Sequence, residues 1–320
     1  MAPEHALLDL QPTPERIRAD IVEGLSQVPK RLPSKYFYDA EGSRLFEQIT
    51  RQPEYTLTRV ELALLEAVLP DVAAAVGPGL RVVEYGSGSG RKTELLLAGL
   101  HDPVAYTPVE ISRSALTASV ERLQAQFPGI EMLPVLADFT GSIELPAPVR
   151  DVRDVLVFFP GSTLGNFTHA QSVELLQGMR ALLGHDGRAL LGFDLDKAPA
   201  KVEAAYNDAA GITAAFTLNL LTRLNREIGA DFDPDGFAHR AVYARERMCI
   251  ETSLVSRRVQ TVHVAGHAFA FAEGEAMAVE ISQKYTRDSV ATLARQAGLC
   301  LDRWWTDPDE GFALGLLAPA

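Results

Sequence analysis

The stretch that decides the fold is Arg81-Val82-Val83-Glu84-Tyr85-Gly86-Ser87-Gly88-Ser89-Gly90. Its first five residues read as a short buried strand, three glycines then mark a turn, and a helix is expected from Arg91. Glycines at such a turn let the backbone approach a ligand closely, and the helix N-terminus offers unpaired N–H groups. A tight turn needed only for packing has the same pattern, so the motif does not decide by itself.

Outward from this turn the pattern is regular. An apolar helical segment over 60–75 precedes it, and short apolar runs alternating with amphipathic segments follow. Strands are expected near 81–85, 105–109, 131–136, 155–159 and 189–193, with helices between them. That alternation predicts an α/β fold, a parallel sheet covered on both faces. Glu110 stands at the end of the second expected strand, and Ala137-Asp138-Phe139 at the end of the third. An acid at the first of these positions can accept from the ribose hydroxyls of an adenosine. Asp138 and Phe139 suit the adenine amino group and ring face.

The cofactor follows from the spacing. A nicotinamide dinucleotide calls for GxGxxG, whereas Arg91 stands where the third glycine of that pattern would be, and no Tyr-x-x-x-Lys pair is found. S-adenosylmethionine is favoured over hydride-transfer cofactors. Lys92, in the first turn of the expected helix, is placed to reach the donor's methionine carboxylate, although an ordinary solvated lysine would occupy the same position.

The alternation fails at both ends of the chain. The first 59 residues are rich in aromatics and turn residues, and after Asp196 a long helix through Tyr206 is expected, then alternating strands over 248–255 and 260–264. A helix over 288–297 and a hairpin over 300–317 read as the completion of the sheet. The expectation is a Rossmann-like domain over 60–195 and 286–320, with a second, smaller α+β substrate-binding domain over 1–59 and 196–285.

Composition narrows the partners. The 320 residues carry 30 Lys+Arg against 42 Asp+Glu, a formal charge of -12, which repels nucleic acid and an anionic membrane surface alike. Cys249 and Cys300 form no CxxC pair, so neither a disulfide framework nor a zinc site is indicated. No signal-peptide pattern or long apolar run is seen. A cytoplasmic monomer without metal is expected.

Several segments together resemble a known family: Lys35-Tyr36-Phe37-Tyr38-Asp39, Phe46-Glu47-Gln48-Ile49, Pro53-Glu54-Tyr55, Glu84-Tyr85-Gly86-Ser87-Gly88, Phe159-Pro160-Gly161-Ser162-Thr163-Leu164-Gly165-Asn166, Ala205-Tyr206-Asn207-Asp208, Glu280-Ile281-Ser282 and Trp304-Trp305-Thr306-Asp307-Pro308. The chain is similar, over nearly its whole length, to the L-histidine Nα-methyltransferases of ergothioneine biosynthesis. The resemblance implies a methyltransferase domain carrying a substrate domain, and three methylations of L-histidine giving a betaine. It puts the turn Gly86-Ser87-Gly88 with Lys92, Glu110, Asp138 and Phe139 on the methyl donor, Glu110 replacing the Asp more usual in the relatives. It puts Asn166 and Tyr206 on the substrate carboxylate, Tyr55, Glu280 and Ser282 around the imidazole, and Tyr38, Phe46 and Gly161 at the amine end. Thr252 falls where the relatives often have a Met against the substrate ring, so the pocket is expected to be wider or more polar here.

These residue types suit the chemistry. Glu280 and Ser282 are two apart in an extended segment, so they share a face. A carboxylate can take the imidazole N–H while a hydroxyl serves the other nitrogen. Surface-facing polar residues on an edge strand would look alike. An amide at Asn166 can donate to a carboxylate, or else cap a helix starting near Thr168. Methyl transfer needs a neutral amine held in line, for which Tyr38 is the candidate, rather than a strong base. Other readings are α-N-methylation of another aromatic or polar amino acid, and a nicotinamide-linked oxidoreductase. Two apparent metal motifs, Asp231-Phe232-Asp233-Pro234-Asp235-Gly236 and the pair His263 and His267, lack the remaining ligands.

Overall fold

The computed structural model describes residues 7–141 and 143–320. Its first half runs β1 (Leu8–Leu10), α1 (Pro14–Leu25), α2 (Ala40–Ile49), α3 (Leu57–Val76), β2 (Leu80–Tyr85), α4 (Arg91–Gly99), β3 (Ala105–Glu110), α5 (Arg113–Gln126), β4 (Glu131–Met132), β5 (Val135–Ala137) and β6 (Asp154–Phe159). There follow α6 (His169–Leu183), β7 (Arg188–Asp194), α7 (Pro199–Ala204), α8 (Ile212–Ile228), β8 (Phe237–Ala244), β9 (Cys249–Ser256), β10 (Gln260–Val264), β11 (His267–Phe271) and β12 (Ala276–Gln283). The chain ends with α9 (Arg287–Gln296), β13 (Leu299–Thr306) and β14 (Phe312–Pro319). It divides into two compact units, one of 7–11, 57–196 and 284–320, the other of 12–56 and 197–283.

The first unit is built on a sheet ordered β1-β5-β3-β2-β6-β7-β14-β13, with β4 also paired to β3. The pairings from β1 to β7 are parallel and the last two antiparallel. Alternate residues of β2 enter two different cores: Leu80 and Val82 pack with α3, while Val83 and Tyr85 pack on the other face. Burial on both faces is why β6 reads as a continuous apolar run from Val155 to Phe159. The expected third strand is split, because Pro134 has no N–H to give to a ladder; β4 pairs near the start of β3 and β5 near its end. The chain builds outward from β2 to β3 and β5, then crosses back to β6. Ligands of open α/β sheets bind beyond the strands' carboxyl ends at such a reversal. Gly86 follows β2 there, and Gly161 follows β6. β1 belongs to this sheet, whereas the sequence expectation groups residues 1–59 with the other domain.

The second unit has a three-stranded antiparallel sheet ordered β12-β9-β8, the hairpin β10-β11, and helices α1, α2, α7 and α8. The long helix expected through Tyr206 is not formed. The helix starting at Pro199 stops at Ala204, and Asp208 begins the next one by accepting the N–H groups of Ile212 (2.8 Å) and Thr213 (2.7 Å). Tyr206 therefore sits in a turn instead of on a helix face.

Candidate active site

In the sheet unit, Gly86, Gly88 and Gly90 take φ of 74°, 48° and 68°, a region side chains rarely enter. The Gly86 N–H donates to Val109 O at 2.8 Å and ties the turn to β3. Glu110, at the end of β3, is 6% exposed. Its Oε2 accepts the Gly88 N–H at 2.9 Å, and its Oε1 those of Ile111 (2.9 Å) and Ser112 (3.0 Å). Burial raises its pKa above the usual carboxylate value, with these three N–H groups pulling the other way. A carboxylate has roughly four acceptor sites, so these three N–H groups leave one for a hydroxyl.

Ser87 is 5% exposed, and its hydroxyl has no hydrogen-bond partner among the described residues. The Phe139 ring lies parallel to Tyr85, 5.4 Å between centroids, and 3.8 Å from where a Cβ on Gly86 would be. Asp138 Oδ1 accepts from Thr140 N (3.0 Å) and Oγ1 (2.6 Å), which fixes its carboxylate at the head of the same turn. A buried hydroxyl left unsatisfied, one open carboxylate site and an aromatic ring at a helix N-terminus fit an adenosine with its ribose.

Lys92 is not a solvated lysine. Its ammonium pairs with Glu61 on α3, the side chains being 17% and 1% exposed. Glu61 also accepts the Gly161 N–H with both oxygens, at 2.8 and 3.0 Å. Beneath them Glu84, 1% exposed, accepts from Thr93 Oγ1 (2.6 Å) and Tyr106 Oη (2.5 Å), joining α4 and β3 to β2. Burial pushes its pKa up to about 8. Asn166 closes a short turn over Thr163–Asn166. The capping role open to it in sequence belongs to Thr168, which forms a capping box with Gln171 at the start of α6.

In the second unit, β9 and β12 bring Thr252 opposite Glu280 and Ile250 opposite Ser282, so these four share one face. Tyr206 packs against the cluster of Val202, Ala241, Tyr243 and Ile250, and its hydroxyl donates to Ser282 Oγ at 2.6 Å. His239, absent from the sequence reading, holds that turn: Nε2 contacts Tyr206 O at 2.9 Å and Nδ1 contacts Thr217 Oγ1 at 2.8 Å. Burial lowers its pKa, keeping the ring neutral. Thr252 is 1% exposed and its hydroxyl has no partner among the described residues. Tyr38, Phe46 and Tyr55 form an aromatic group with Phe216, with Phe46 5.8 Å from Tyr38, 6.4 Å from Tyr55 and 6.0 Å from Phe216.

Each predicted residue thus falls in one of two constellations, Gly161 and Asn166 joining the glycine turn's unit and the aromatic, Tyr206, Thr252, Glu280 and Ser282 set the other. Among the described residues no group of three or more His, Cys, Asp or Glu is arranged to hold a metal ion, and no helix is long and apolar enough to cross a membrane.

Comparison with known proteins adds to this geometry. The family described as histidine-specific, SAM-dependent methyltransferases matches residues 17–319. The chain is 40% identical over 307 residues to a histidine N-alpha-methyltransferase of Mycolicibacterium smegmatis, spanning 94% of each chain. It is 30% identical over 311 residues to ergothioneine biosynthesis protein 1 of Neurospora crassa, covering 91% of this chain and 33% of that one. A solved S-adenosylmethionine-dependent methyltransferase from Clostridium acetobutylicum shares the fold at a TM-score of 0.50 and 11% identity, over 86% of this chain and 98% of that one.

Proposed function

Since this chain belongs to the histidine-specific, SAM-dependent methyltransferase family, we propose that it methylates the α-amino nitrogen of L-histidine, in three rounds that end in the betaine. The family match displaces the nicotinamide reading. The substrate assignment is carried by one observation: Tyr206, Ser282, Glu280 and Thr252 gather on a single face of a small sheet, with a hydroxyl relay in place.

The chemistry follows from what these groups can exchange. S-adenosylmethionine supplies an electrophilic methyl group on a sulfonium, and Gly86, Ser87, Gly88, Lys92, Glu110, Asp138 and Phe139 are the residues that would hold it. A serine hydroxyl can donate as well as accept, as Ser282 does from Tyr206, and a donor is what the bare nitrogen of a neutral imidazole calls for. Glu280 takes the imidazole N–H, and Tyr55 covers the ring. Asn166 serves the substrate carboxylate, and Tyr206 joins it by turning towards the ligand the one proton that it otherwise gives to Ser282. Tyr38 orients the amine, and the neighbouring positive charge favours the unprotonated nitrogen that the displacement needs.

A second reading, α-N-methylation of another aromatic or polar amino acid, is favoured by the unpartnered Thr252 hydroxyl, which a polar substrate would satisfy. Incubating the protein with S-adenosylmethionine and each amino acid in turn, then counting added methyl groups by mass spectrometry, chooses between the two. Methylation of histidine above all others supports the first reading, and inertness towards histidine overturns it. We also read the protein as a cytoplasmic monomer, in keeping with its two free cysteines and its charge of -12; sedimentation tests the monomer.

A further inference from the structure

A buried carboxylate stands on the apolar stripe of α3. Glu61 is 0% exposed on a face otherwise made of Leu64, Leu65, Val68, Leu69 and Val72. An apolar side chain would satisfy that packing without the cost of stripping water from a charge. The surrounding backbone is shaped for the acid: a Cβ on Gly192 of β7 would lie 2.5 Å from Glu61 Oε1. Three segments meet on this group, through Lys92 of α4, Gly161 after β6 and Gly192. A Cβ on Gly161, whose φ is 77°, would come within 3.4 Å of Lys92 Nζ.

We propose that Glu61 is a positioning residue of the methyl-donor site, holding Lys92 and the Gly161 turn and cancelling the lysine's charge so that a cationic donor is accepted. The inference rests on the methyltransferase reading. Lys92 lies in the first turn of α4, where the helix already presents its positive end. S-adenosylmethionine carries a net positive charge, because its sulfonium adds to a methionine zwitterion, whereas the product S-adenosylhomocysteine is net neutral. An unopposed Lys92 would select product over donor. With the Glu61 carboxylate beside it, the lysine keeps N–H donors for the donor's carboxylate while the pair as a whole presents no net charge.

Calorimetry with S-adenosylmethionine and S-adenosylhomocysteine reads this directly, since both share every group except the transferred methyl and its charge. Glu61→Gln is expected to weaken donor binding about tenfold more than product binding, and Glu61→Gln/Lys92→Met to return the ratio to that of the parent. Lys92→Met alone is expected to move the ratio towards the donor, which decides the matter if Glu61→Gln does not fold. Equal changes for both ligands in these variants overturn the proposal. A parent protein that binds neither ligand overturns the methyltransferase reading itself, and the inference with it.

Discussion

The Tyr206 hydroxyl donates to Ser282 Oγ across 2.6 Å, joining the turn after α7 to strand β12. Removing either partner costs the other this hydrogen bond, about 0.5–1.5 kcal/mol. Tyr206→Phe and Ser282→Ala are each expected to raise the KM for histidine, and the double variant to be no worse than either alone. A thermodynamic cycle on melting and KM checks this; additive losses would show that the two hydroxyls act separately.

Glu280 stands opposite Thr252 on the shared face. Glu280→Ala is expected to reduce kcat/KM for histidine far more than for an amino acid with an apolar ring, because a site built to bond an N–H loses most when the bond is lost. Steady-state kinetics on both substrates is the measurement. Equal losses would remove the carboxylate from imidazole recognition.

Glu110 holds three backbone N–H groups, a load that an amide cannot carry because its nitrogen is itself a donor. Glu110→Gln is expected to lower S-adenosylhomocysteine affinity by about tenfold or more, while Glu110→Asp, which keeps both acceptors, retains more of it. Calorimetric titration separates the two. A Gln variant that binds as tightly as the parent would mean the turn forms without the carboxylate.

Glu84 makes stability depend on pH. Its folded pKa, raised from 4.5 to about 8 chiefly by burial, exceeds the unfolded value. Its contribution is therefore fully present below 4.5 and is lost as pH rises through about 8. Across that window the unfolding free energy of the parent, read from urea titrations, should fall relative to that of Glu84→Gln by an amount on the order of a few kcal/mol. Parallel curves for the two proteins would refute this.

The parallel sheet was readable because strands buried on both faces give unbroken apolar runs, as Val155 to Phe159 does, and because glycines and acids stand where the strands end. Tyr206 reads as helical because its neighbours favour a helix; Asp208, accepting the Ile212 and Thr213 N–H groups, and Gly211, at a φ of 71°, break it. Glu61 left one signal, an acid in register with Leu64, Leu65 and Val68, but its partners Lys92 and Gly161 are remote in sequence. His239 left none, since its role lies in two contacts to segments on either side of α8's start.

The short strand Leu8–Leu10 runs in register beside Val135–Ala137 and makes up the rim of the sheet on that side. Without it, the peptide groups of Val135 to Ala137 would lie open as a template on which a strand from another molecule could dock. These three residues are thus the last strand on that side, and a shortened chain beginning after Leu10 is expected to hand the open edge of the sheet to Val135–Ala137.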